Sequence, residues 1–105
     1  MERVFEIEYS PDFRLDLIEI ADYIANQLFA PSSAEKLLHK IHTSIENLAY
    51  FPFSGTVLPS KENATVYRWI KVENYMIFYT VDEEKEMLFI SRVLFGASNY
   101  FSEIL

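Results

Sequence analysis

The chain of 105 residues contains no cysteine, only two glycines and four prolines, and nine basic residues against sixteen acidic ones. Each shortage excludes a class of chemistry. Without cysteine there are no disulfides, thiolate nucleophiles or thiolate metal sites. Two glycines cannot make a glycine-rich phosphate loop. A formal net charge of −7 argues against the broad basic footprint of a nucleic-acid binder, so no direct DNA binding is expected. No apolar run approaches membrane-spanning length, and the mixed-charge start does not read as a signal peptide. The sequence predicts a soluble, cytoplasmic protein without membrane association, forming one domain over residues 1–105. Half of its residues are hydrophobic, which is enough to build a core.

What the chain has in quantity is β-branched and aromatic residues between Thr65 and Phe95. Three runs, 65–72, 75–81 and 86–95, are separated by Glu73-Asn74 and by Asp82 to Lys85. Breaks this short join antiparallel neighbours, so the runs predict a three-stranded meander. With Val72 opposite Tyr75 and Val81 opposite Glu86, strict alternation puts Val66, Arg68, Ile70, Val72, Tyr75, Ile77, Tyr79, Val81, Leu88, Ile90, Arg92 and Leu94 on one face. On that register the two interior arginines land together. Both faces are too apolar for one of them to be fully wet, so one calls for helices and the other for partial cover or a partner.

Upstream, Val4 to Tyr9 alternates, with Glu6 and Glu8 on one side, as an edge strand does. Ser10-Pro11 starts a helix, Ser10 as N-cap and Pro11 at the first helical position. Its apolar stripe is Phe13, Leu17, Ile20, Ala21, Ile24 and Leu28. The carboxylates Asp12, Asp16, Glu19 and Asp22 are assigned to its wet side. After Ala30-Pro31, Ser32-x-x-Glu35 reads as a capping box for a second helix ending near Tyr50. A loop from Phe53 to Asn63 leads into the meander, and Ala97 to Leu105 is expected to form a short helix. The fold class is α+β: an antiparallel sheet with an N-terminal strand and a helical hairpin on one face, in the order β-α-α-β-β-β.

Few residues suggest chemistry. His39 and His42 stand three apart on the second helix, but a zinc site needs further ligands; the pattern reads as a solvated face with Glu-His pairs, and neither metal nor cofactor is expected. Arg68 and Arg92 are the sharper signal, because an arginine inside an apolar strand is costly unless paired or set in a cleft. Either they contact an anion, or each pairs with an acid such as Glu73 or Glu86.

The element order, the run Asp16-x-x-x-Ile20-x-x-Tyr23-Ile24, the link Leu48-x-x-Phe51-Pro52-x-x-Gly55, Arg68, the strand Tyr75-x-x-Phe78-Tyr79 and the ending Arg92-Val93-Leu94-Phe95-Gly96-x-x-x-Tyr100 together resemble the RelE/ParE toxin superfamily, most closely its ParE-like, plasmid-stabilisation branch. The likeness covers nearly the whole chain. It implies the toxin of a type II toxin–antitoxin pair, held inactive by a cognate antitoxin. Members of the ParE branch poison DNA gyrase by binding. Members of the RelE branch cut mRNA on the ribosome. For a nuclease the resemblance offers Arg68, Lys71, Arg92 and Tyr100 as candidates; for target or antitoxin contact it offers Arg68, Trp69, Met76, Arg92, Phe95 and Tyr100. Met76 stands where the RelE branch has an arginine, and the Phe95–Tyr100 ending lacks the imidazole and arginine common in the wider family. The expectation is therefore a toxin acting by binding. The alternatives are a ribosome-dependent endoribonuclease and a degenerate member that only binds its antitoxin.

Overall fold

The computed structural model describes residues 3–59 and 65–96. Strand β1 (Glu6–Tyr9) runs into helix α1 (Pro11–Asp22), whose last turn widens into a π-helical turn at Tyr23–Gln27. Helix α2 (Pro31–Tyr50) follows, then β2 (Thr56–Val57), β3 (Arg68–Val72), β4 (Tyr75–Asp82) and β5 (Met87–Phe95). The five strands form one sheet in the order β1-β5-β4-β3-β2. Every pairing is antiparallel except β1 with β5, which is parallel. The segment 97–105, including the expected terminal helix and Tyr100, lies outside the described residues.

The start of α1 follows the sequence closely. Ser10 is extended at φ −72°, ψ 155°, its hydroxyl accepts the Phe13 N–H, and Pro11 occupies the first turn, where its missing N–H costs nothing. Helix α2 begins differently. Its N-cap is Ala30 with Pro31 at the first position, and no side chain caps it, so the expected Ser32–Glu35 box does not form. Proline fixes φ for helix entry one residue ahead of Ser32, which leaves that serine inside the helix. The connection between the helices includes Phe29, at a positive φ of 53° and 86% exposed.

The helices cover one face of the sheet. Phe13 from α1 and Leu37, Ile41, Ile45 and Leu48 from α2 pack on Val72, Ile77, Tyr79, Leu88, Ile90 and Val93. These side chains are nearly all withdrawn from water, and their burial is the main term holding the layers together. The other face carries a smaller cluster of Leu58, Met76 and Phe78, flanked by Tyr67, Trp69 and Leu94.

The first hairpin has the predicted register, Val72 opposite Tyr75. Glu73 takes a positive φ of 54° at the first turn position, the kind of backbone a tight hairpin needs. The second hairpin pairs Asp82 with Met87 and Val81 with Leu88, two residues from the expected register, and a shift of two preserves the faces. A bulge then intervenes. Tyr79 opposes Ile90, but Phe78 opposes Arg92, so Ser91 is the extra residue. Beyond it the alternation inverts: Val93 joins Ile77 in the main core, and Leu94 joins Met76 on the other side. The prediction that Arg68 and Arg92 share a face therefore fails, since Arg68 opposes Tyr79 while Arg92 opposes Phe78. The stretch expected as loop between Phe53 and Asn63 also contains β2, which pairs with Trp69 and Arg68.

Candidate functional site

The bulge is pinned by helix α1. The Ser10 hydroxyl donates to the Ser91 carbonyl at 2.6 Å while accepting the Phe13 N–H at 2.9 Å. One and a half turns on, Asp16 takes Arg92 in a two-pronged grip, Nε to Oδ2 at 2.7 Å and Nη2 to Oδ1 at 2.9 Å. Asp16 Oδ2 also accepts the Val93 N–H at 3.1 Å. The Asp16 side chain is only 11% exposed, against its expected place on a wet face. The apolar stripe gives the reason: Asp16 follows Phe13 by three positions and precedes Ile20 by four, so it points at the sheet. Arg92 is thus held by a carboxylate that spacing could have found.

Arg68 is held by backbone. Its Nη1 donates to the carbonyls of Phe53 at 3.1 Å and Gly55 at 3.0 Å, and its guanidinium lies 5.1 Å from the centre of the Phe53 ring. The acids proposed as arginine partners go elsewhere: Glu73 to Lys40 at 2.6 Å, Glu86 to Arg3 at 3.5 Å. Beside Arg68, the fully buried Tyr79 hydroxyl donates to the Pro52 carbonyl and accepts the Gly55 N–H, both at 2.9 Å. Burial pushes the Tyr79 phenol up; the Gly55 N–H and Arg68 pull against that. Together Tyr79 and Arg68 fasten the Pro52–Gly55 link, which carries the exposed Phe53 and follows the exposed Phe51.

The remaining sequence candidates are scattered. Lys71 is exposed, Trp69 half-buried, Met76 buried with Leu58 and Phe78, and Phe95 61% exposed against the edge of Tyr75. Phe95 and Tyr75 line an open groove with Glu19, Ile20 and Tyr23. Tyr100 falls outside the described residues. His42 meets Glu46 at 3.2 Å on exposed helix surface, as its four-residue spacing suggests. Among the described residues no group of three or more histidines and carboxylates could hold a metal ion. No helix among them is long and apolar enough to cross a membrane.

Comparison with known proteins fits this architecture. The sequence profile of the ParE toxin of the type II toxin–antitoxin system parDE matches residues 7–100. The chain superposes on a chromosomal ParDE system from P. aeruginosa with a TM-score of 0.71 and 18% identity, covering 90% of this chain and 99% of that one. A RelBE2 toxin–antitoxin complex from Mycobacterium tuberculosis gives 0.63 at 17% identity, covering 90% and 94%. A metal-bound toxin from Helicobacter pylori gives 0.56 at 20%, covering 96% and 99%. No curated protein matches in sequence. These structural likenesses establish the fold, two helices on a five-stranded sheet, and the profile match establishes the family: the chain belongs to the ParE toxin family of type II toxin–antitoxin systems.

Proposed function

We propose that this toxin acts by binding a cellular protein, with DNA gyrase the target that family resemblance suggests, and that a cognate antitoxin neutralises it. The observation that carries the reading is the state of the two sheet arginines. Arg92 is gripped by Asp16, and Arg68 by two carbonyls and the Phe53 ring. Cleaving RNA through a 2′-hydroxyl requires a base, an acid and a cation free to meet charge developing on the phosphate. Both arginines already serve the fold, and breaking such a grip to meet a phosphate would leave the partner uncompensated. The net charge of −7 also opposes docking on ribosomal RNA.

The test is induced expression without the partner gene, followed by primer extension on cellular mRNA and a supercoiling assay with purified gyrase. Inhibited supercoiling with intact mRNA is the expected result. Codon-positioned mRNA cuts that vanish in Arg68→Ala would favour a ribosome-dependent nuclease instead. Normal growth with neither effect would leave antitoxin binding as the residual activity.

A further inference from the structure

Where α1 passes the end of the β4–β5 ladder, three aromatic side chains and a carboxylate gather around one groove. Tyr75 and Phe95 are directly opposed across the two strands. Their ring centres stand 5.5 Å apart and the ring planes meet at 74°, so the pair forms a corner and not a stack. The Gly96 N–H donates to the Asn74 carbonyl at 2.6 Å just beyond them, which closes the ladder and holds the corner in shape. Glu19 and Tyr23 face it from the helix. The Tyr23 N–H bonds to the Glu19 carbonyl, so one regular turn sets carboxylate and phenol side by side. Tyr23 also opens the π-helical turn, a widening that often marks functional ground. With Ile20 between them, these residues line an open groove of about 480 Å³.

Core packing does not account for this grouping. Tyr23 is 54% and Phe95 61% exposed, so much of two rings faces water. The charges nearby are of one sign. No basic residue lines the groove. Glu73 is held by Lys40 at 2.6 Å, whereas Glu19 meets no cation among the described residues. Burial, then the Glu73 carboxylate, then the Tyr23 phenol push the Tyr75 phenol up, so it stays neutral in a negative field. The net charge of −7 adds to that field at longer range. Residues 97–105, which follow Phe95 and Gly96, include no basic side chain that could answer it.

We propose that the groove formed by Glu19, Tyr23, Tyr75 and Phe95 is a binding site for a small organic cation, an alkylated ammonium of the choline type. The face of an aromatic ring carries negative potential and attracts a cation within about 6 Å of its centre. A bare ammonium is strongly hydrated and gives up that water at a cost. An alkylated one is not, and its methyl groups bury apolar area against the rings and Ile20. Shape narrows the choice further. A flat guanidinium stacks on one ring at a time, while a rounded head group fills a right-angled corner and touches both walls. Glu19 at the rim supplies the counter-charge. The volume lies in the range of small-molecule sites, roughly 300–1,000 Å³.

The experiment titrates the full chain with choline, with its neutral isostere 3,3-dimethylbutan-1-ol and with methylguanidinium, and follows the amide resonances by NMR. The expected result is saturable shifts at Glu19, Ile20, Tyr23, Tyr75 and Phe95 with choline. Its affinity should be at least tenfold above that of the neutral alcohol and at least threefold above that of methylguanidinium. Tyr23→Leu and Phe95→Leu keep apolar bulk but remove a ring, and each should weaken choline at least fivefold. Glu19→Gln keeps the shape and removes the charge, and should weaken choline at least threefold while leaving the alcohol unchanged. Resonances far from the groove certify the fold of each variant. If Phe95→Leu fails to fold, the exposed Tyr23→Leu and Glu19→Gln, with the three ligands, still decide. Equal binding of choline and the alcohol would reduce the groove to an apolar surface and overturn the proposal. Methylguanidinium binding as tightly as choline, shifts that arise elsewhere or survive all three substitutions, or no binding at all would overturn it equally.

Discussion

Asp16 and Arg92 lie 76 positions apart and form a bidentate pair whose carboxylate also caps the Val93 N–H, so one side chain of α1 fixes both a guanidinium and the backbone beyond a bulge. With the two side chains 11% and 26% exposed, the pair is neither a surface bridge nor a dry interior one.

Removing Asp16 should therefore cost more than a surface charge. Asp16→Ala leaves a part-buried arginine and a backbone donor without their acceptor, and about 2–4 kcal/mol of stability should be lost. The double replacement Asp16→Leu, Arg92→Met should cost less than the single alanine change, because no lone charge remains. Urea denaturation of the three proteins checks this; a single variant within 0.5 kcal/mol of wild type would show that the grip is incidental.

Lys40 and Glu73 make the shorter contact, 2.6 Å, yet their side chains are 56% and 47% exposed. Solvent screening and side-chain entropy cancel most of such a pair. Lys40→Ala should change stability by less than about 0.5 kcal/mol in the same denaturation series, although the crossing from α2 to the hairpin tip looks well made.

Gly55 has no room for a side chain. A Cβ there would meet the Tyr79 hydroxyl, a Tyr79 ring carbon at 2.8 Å and the Trp69 carbonyl at 3.0 Å. Gly55→Ala should destabilise by about 1–3 kcal/mol, in the range of overpacked cores. Tyr79→Phe removes the hydroxyl and strands the Pro52 carbonyl and Gly55 N–H, at a cost of about 1–3 kcal/mol. Combining the two should not restore wild-type stability, because the ring carbon stays in the way. Thermal melts of both single variants and the double variant decide it.

Alkaline pH should weaken the fold through the tyrosines. Burial raises the phenol of Tyr79 above its ordinary value near 10, and those of Tyr75 and Tyr9 likewise. The folded state then holds its protons to higher pH than the unfolded state. The contribution is complete below pH 10, declines as the unfolded chain ionises above it, and is lost once pH passes the folded values. Denaturation midpoints measured from pH 8 upward should hold level and then drop above about pH 10. The drop should be smaller in Tyr79→Phe, relative to that variant's own neutral value.

The parts of this fold that short-range chemistry dictates were readable in the sequence. Ser10 before Pro11 announced a helix start, and the two polar residues Glu73-Asn74 set the first hairpin's register. What escaped was decided at longer range. Ser91 breaks the alternation of β5, but a lone serine in an apolar run looks like any half-exposed strand residue until Ser10 is seen holding its carbonyl. That extra residue separated the two arginines which strict alternation had put together. Asp16 was legible in principle, since its spacing from Phe13 and Ile20 puts it on the buried stripe; counting acids as solvated concealed it. Strand β2, two residues long, offers no period at all.

The parallel join of β1 to β5 also bears on how the molecule comes into being. Residue 6 has its partner at residue 87, so β1 stays unpaired until β5, the strand furthest from it in the described sequence, is present. Two helices and a hairpin can assemble from neighbours in the chain, but this seam closes a loop of most of the molecule, the kind of contact that slows folding. A sheet built this way is not closed until β5 has been made. Until then β1 has both edges open, and the like charges of Glu6 and Glu8 oppose its pairing with the same strand of another copy.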